Sequence, residues 1–142
     1  WRIPADRALD HVYGYAVGID LTRRDLQNAA RKKEQPWEIA KSFDHSAPCG
    51  ALQPAARIGH PSKGRIWLSV NGKQAQSGDL AQMIWNVPEI VAQLSQQVAL
   101  DAGDIIMTGT PEGVSSIFPG DVMKCWMDRI GTMDVKIRGN EG

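Results

Sequence analysis

The stretch Ile66–Gln76, IWLSVNGKQAQ, decides the fold class. Asn71-Gly72 lies between two short runs, and both central residues of a type I′ turn need positive φ, which Asn and Gly tolerate. The pair therefore predicts a hairpin, with one strand over 66–70 and a returning strand over 73–76. Working towards the amino end, Val12 to Ile19 (VYGYAVGI) is almost wholly apolar or Gly, as in a buried strand, and Asp20 closes it. Thr22 with Asp25 three residues on fits a capping box, so a helix is expected from about Arg23 to Lys33, stopped by Pro36. Residues 42–63 carry three prolines and two glycines with little apolar period and read as a long ordered loop. Towards the carboxyl end, Asp79 caps a short turn through Ile84. Asn86-Val87-Pro88-Glu89 caps a helix whose apolar face is Ile90, Val91, Leu94 and Val98. A strand is expected at Ile105–Met107, running into the Thr108–Pro111 loop. Two more, near 122–127 and 133–137, are joined by a turn at Asp128–Gly131. The expected fold is a β-rich α+β domain, a mixed sheet with short helices.

Composition narrows the function classes. The chain has 142 residues, the size of one domain, and 42% apolar with 23% charged residues excludes wholesale disorder. Sixteen basic and sixteen acidic residues cancel, so no long-range field points to nucleic acid or an anionic membrane as partner. No run approaches the ~18 apolar residues of a membrane span. Two cysteines, Cys49 and Cys125, make neither a disulfide framework nor a zinc pattern, and the expectation is a reduced, cytoplasmic protein. The chain enters at Trp1 without a starting methionine, so residues 1–142 are expected to be a single but incomplete domain. The tryptophans at 37, 67, 85 and 126 form no stripe and are expected in the core or an interface.

Three constellations can carry chemistry. Asp20 stands at the end of a buried strand, and Arg24 and Gln27 share a helix face. A carboxylate, a guanidinium fork and an amide suit an anionic substrate beside a hard divalent cation, or else mark an ordinary helix start with a solvated arginine. Lys41, in AKSFD, is either a solvated charge or a cation facing a developing oxyanion. The TGTPEGV loop at Thr108–Val114 brings backbone N–H groups and the Thr110 hydroxyl to a sheet end, where they can bind a carboxylate or phosphate or form a plain turn. It lacks P-loop spacing. His11, His45 and His60 have no metal-ligand spacing, and His45 stands out only for its closeness to Lys41.

Taken in order, GYAVGIDLTRRDLQ, PWEIAKSFDHSAPCG, WLSVNGKQAQSGDLAQMIW, LDAGDIIMTGTPEGV and PGDV resemble the fumarylacetoacetate hydrolase family, and more narrowly the bacterial acylpyruvate and fumarylpyruvate hydrolases. The resemblance runs from about Val12 to Ile137. It implies the sheet roll of that family's carboxyl-terminal domain, a homodimer or larger homo-oligomer, and a Mg²⁺- or Mn²⁺-dependent enzyme of aromatic catabolism. Such an enzyme cleaves a C–C bond in a 2,4-diketo acid to give pyruvate and a carboxylic acid. By the same resemblance Asp20 is a metal ligand, Arg24, Gln27 and Thr110 hold the substrate, and Lys41 faces the developing negative charge.

The departures from the family pattern define two alternatives. The family's Glu-x-Glu metal ligands and its water-activating His and Glu stand upstream of the first block. Here only Asp6 and Asp10 are acidic before Asp20. One aspartate cannot hold a cation that wants about six oxygens. Ser115 replaces the glycine that commonly ends the turn. The chain thus reads as a carboxyl-terminal portion carrying half a site. A decarboxylase or isomerase of a related keto acid is the alternative reaction, and a truncated, non-catalytic dimerising domain is the alternative class.

Overall fold

The computed structural model describes residues 1–139. The hairpin forms as expected: β3 (Arg65–Val70) pairs antiparallel with β4 (Lys73–Asp79), and Asn71 and Gly72 take φ of 51° and 80°. Asn71 is further fastened, because its side-chain amide donates to Asp121 Oδ1 at 2.8 Å and its Oδ1 accepts the Val122 N–H at 2.9 Å. β5 (Val122–Met127) lies on the other side of β3, and β6 (Gly131–Lys136) pairs with β5. The four-stranded sheet therefore has the order β4-β3-β5-β6, with every described pair antiparallel. This is the β-rich α+β class read from the sequence.

Alternation along the strands sorts the two faces. Ile66, Leu68 and Val70 with Met123, Cys125, Met127, Met133 and Val135 face inward and pack with Val17, Ile19 and Ile130. The outer face carries Trp67 stacked on Trp126, their ring centroids 6.4 Å apart, and a Lys124–Asp134 ion pair at 3.6 Å. A second, smaller core joins Ile3, Ala8 and Val91 with Val12, Leu100 and Ile106. It seats α4 (Val87–Ser95) on a 3-10 turn at Ala5–His11 that the sequence reading missed. Ser95, wholly buried, accepts the Ile3 N–H and donates to Ala92 O.

Several expectations are corrected. The strand expected over Val12–Ile19 shrinks to β1 (Gly14–Tyr15), paired with β2 (Gln53–Pro54), plus a single bridge at Gly18–Cys49. The backbone between stays extended: the Ile19 and Leu21 N–H groups donate to Pro48 O and Ser46 O, and Gly50 N–H to Val17 O. The register shifts by one between Tyr15 opposite Gln53 and Gly18 opposite Cys49, and Pro48 has no N–H to return to Ile19, so a continuous ladder does not form. The supposed loop 42–63 is thus the partner of this strand, and it also carries α3 (Ala55–Ile58). Ile105–Met107 is not a strand. No strand among the described residues pairs with it, Ile105 is 75% exposed, and only Ile106 tucks into the smaller core. Val98 lies beyond the end of α4 and is exposed. Trp37 and Trp85 are exposed and Trp67 and Trp126 lie on the outer face, so of the expected core or interface placement the core half fails for these four.

Candidate active site

α1 (Arg24–Lys32) begins four residues after Asp20, and α2 (Glu38–Lys41) ends on Lys41. The two helices are tied at their near ends. Arg23 N–H donates to Ala40 O at 3.0 Å, Ala40 is buried, and the Arg23 guanidinium sits 4.4 Å over the Phe43 ring. This clasp brings Lys41 back to the end of the strand segment. Lys41 Nζ donates to Asp20 Oδ2 at 2.6 Å and to Thr22 Oγ1 at 2.9 Å.

Thr22 was expected to cap α1, and that expectation is wrong. Arg23 holds the N-cap position without a side-chain cap, and the Thr22 hydroxyl serves Lys41 instead. The capping boxes at Asp79 and Asn86 do form, closed by Gln82 and Glu89. Along α1 the Arg24 guanidinium donates to Gln27 Oε1, and Gln27 is buried. This bond keeps both polar ends on one helix face, as the i, i+3 spacing requires.

Thr110 is held by a different part of the fold. The 108–113 loop rests on β4, where Gln76 Nε2 donates to Thr110 Oγ1 at 2.9 Å and to Pro111 O at 2.7 Å. The link to the Asp20 region runs through Met107, whose Cε would lie 3.4 Å from a Cβ placed on Gly18. The segment entering the loop therefore passes beside the strand that ends at Asp20. Asp20, Thr22 and Lys41 form one contacting group, Arg24 and Gln27 a second, and Thr110 a third with no direct hydrogen bond to either.

Sequence reasoning missed Thr22 and Gln76 as partners of site residues. Thr22 is marked only by its place in DLT, and Gln76 only by its place in the hairpin block. His45 makes no side-chain hydrogen bond among the described residues and takes φ of 62°.

The metal question turns on donors. Among the described residues no three His, Cys, Asp or Glu side chains gather where they could hold an ion. Asp20 is a single carboxylate with one oxygen already on Lys41. A divalent cation of the hard type wants about six oxygens, so these residues do not fit it by themselves.

The chain belongs to the family described as "Fumarylacetoacetate (FAA) hydrolase C-terminal", matched over residues 1–138. It is 40% identical over 139 residues, 98% of its own length, to mouse "Oxaloacetate tautomerase FAHD1, mitochondrial", of which it covers 63%. It is 44% identical over 121 residues to "Fumarylpyruvate hydrolase" of a Ralstonia species, with 85% of this chain and 62% of that one aligned. The crystal structure of Pseudomonas aeruginosa fumarylpyruvate hydrolase in complex with Mn²⁺ and pyruvate matches at a TM-score of 0.94 and 47% identity, over 96% of this chain and 59% of that one. The chain thus spans about three fifths of the length of these relatives. No described helix is long and apolar enough to cross a membrane.

Proposed function

We propose that a protein carrying this chain hydrolyses a C–C bond in a 2,4-diketo acid of the acylpyruvate or fumarylpyruvate type. The observation that carries this reading is the Lys41 ammonium held between Asp20 and Thr22, next to the Arg24–Gln27 pair. The fumarylpyruvate hydrolase relatives support the substrate class.

In this reading water adds to the distal acyl carbonyl, and the bond between that carbonyl carbon and C3 of the pyruvyl unit breaks. The electron pair leaves as the enolate of pyruvate, which takes up a proton at C3, and the acyl part departs as a carboxylic acid. Lys41 stabilises the negative charge that develops on oxygen, being a cation fixed in place before the reaction. Arg24 and Thr110 bind the keto-acid carboxylate, and Gln27 holds the guanidinium in its plane. A divalent cation, Mg²⁺ or Mn²⁺, is proposed as the cofactor because of the Mn²⁺ in the Pseudomonas relative. Asp20 would be one ligand and the remainder would come from outside the described residues.

The mouse relative named an oxaloacetate tautomerase favours a second reading, keto–enol isomerisation of a keto acid. Product analysis of the full-length protein with fumarylpyruvate separates them. Hydrolysis gives equal amounts of pyruvate and fumarate. A tautomerase changes the keto–enol ratio with no new acid, a decarboxylase releases CO₂, and a non-catalytic dimerising domain does none of these. We also propose self-association through the Trp67–Trp126 face in a cytoplasmic setting, and a monomer by light scattering at tens of micromolar would refute that assembly.

A further inference from the structure

We infer that Gln76 is a positioning residue that fixes the Thr110 hydroxyl as a hydrogen-bond donor and thereby sets the 108–113 loop to receive an anion. The inference rests on the reading of Thr110 as the group that meets the substrate carboxylate.

It begins with an irregularity in the sheet. β3 and β4 pair as Val70 with Lys73 and Ser69 with Gln74, and then Leu68 with Gln76, so Ala75 has no partner. Directly opposed residues of an antiparallel pair share a face, and Leu68 faces the core. Without the extra residue Gln76 would stand opposite Trp67 on the outer face. The bulge turns it to the inner side, and such a re-aimed side chain is a recurrent use of bulges beside functional loops. The loop is fitted to this edge. A Cβ on Gly113, where φ is +102°, would collide with the Ala75 carbonyl oxygen, and one on Gly78 would lie 3.1 Å from Pro111 Cγ.

Polarity follows from the acceptors. A carbonyl oxygen can only accept, so Pro111 O, 2.7 Å away, pins the Gln76 amide with its NH₂ inward. The second N–H of that NH₂ then goes to Thr110 Oγ1 at 2.9 Å. With that oxygen already accepting, the Thr110 proton is free to be given. The protein acceptor it reaches among the described residues, Pro111 O, is 3.4 Å away, longer than a normal O–H···O bond, and the short contact of that carbonyl is the one from Gln76 at 2.7 Å. The hydroxyl proton therefore goes to an incoming oxygen, and a carboxylate is the ligand that accepts without having to give.

The test is a double-mutant cycle in the full-length protein with fumarylpyruvate. Thr110→Val should raise KM by roughly ten- to hundredfold, the range for a hydrogen bond to a charged group. Gln76→Met, which removes the amide without adding charge, should raise KM by roughly three- to tenfold with kcat within about twofold. On the Thr110→Val background it should change KM by less than about twofold, whereas general loosening of the loop would lower kcat and add to the first effect. If Thr110→Val raises KM and Gln76→Met does not, the role of Gln76 is overturned and the substrate reading stands. If Thr110→Val leaves both constants unchanged, the reading of Thr110 falls and this inference with it. Should thermal melting show that Gln76→Met does not fold, Gln76→Glu keeps the shape and gives an acceptor-only carboxylate. An unchanged KM in that variant overturns the proposal.

Discussion

Lys41→Met separates the two things a lysine clasped to a carboxylate can do. The side chains of Lys41 and Asp20 are 35% and 46% exposed, and their closest N–O distance is 2.6 Å. Two unit charges at that distance attract by about 1.6 kcal/mol at the dielectric of water. The entropy of fixing two long side chains consumes much of this, so exposed pairs typically contribute no more than about 1 kcal/mol. Met keeps most of the stem, so the expected stability loss is about 1 kcal/mol or less, a shift of roughly 2–4 °C in melting temperature for a chain of this size. The effect on the reaction is of another order. A preorganised charge facing a developing oxyanion contributes about 2.7–4 kcal/mol by comparison with loss of one oxyanion-hole donor, so kcat should fall by roughly 10²–10³ with KM little changed. The assay is loss of the fumarylpyruvate enol absorbance by the full-length enzyme, run beside a thermal melt. A rise in KM with kcat held would make Lys41 an anion-attracting residue only. Values of kcat and KM within twofold of the parent would remove Lys41 from the mechanism. Asp20→Asn is the companion change, expected to lower activity and divalent-cation affinity together.

Two further outcomes test the frame around the site. The Asp121 carboxyl is held below its usual value of 3.8, first by the Asn71 amide and then by the Phe118 N–H. The folded state therefore binds fewer protons than the unfolded one, and this stabilisation is whole above the unfolded value and lost as pH falls through the lower folded value. Asp121→Asn should lower the melting temperature at pH 7 and flatten its decline below about pH 4, and an unchanged acid slope would refute the linkage. Burial, with the Asp134 charge second, pushes the Cys125 thiol up to about 11, whereas Cys49 is exposed. At pH 8 iodoacetamide should alkylate Cys49 and leave Cys125 unmodified until the chain is unfolded, as peptide mass spectrometry would show.

The elements legible in the sequence are those whose physics is local. Asn71-Gly72 dictates its turn because few other residues accept φ of 51° and 80° in succession, and the boxes at Asp79 and Asn86 are closed by partners three residues away. Where the deciding partner is remote, the local pattern misleads. Thr22 satisfies a capping pattern, yet its hydroxyl goes to a lysine nineteen residues on, because the Arg23–Ala40 and Arg23–Phe43 contacts fold α2 back over it. Ile105–Met107 has strand composition, but a strand also needs a neighbour to take its N–H and C=O groups, and no such neighbour exists among the described residues.

The candidate site divides along the same line. The candidates Asp20, Arg24, Gln27, Lys41 and Thr110 were nameable from the sequence only through the family that the blocks around them resemble, since type and spacing alone left a plain structural role open for each. What each of them is bonded to was not. Gln76 shows why: alternation read outward from Asn71-Gly72 places it on the outer face with Trp67. One unpaired residue, Ala75, reverses that assignment, and nothing in KQAQSG marks where a strand takes in an extra residue. The bulge lies against the 108–113 loop, where Gly113 leaves room for the Ala75 carbonyl and Pro111 lies on Gly78. Two segments more than thirty residues apart fix each other's geometry, so the face on which Gln76 lies is a property of the pair.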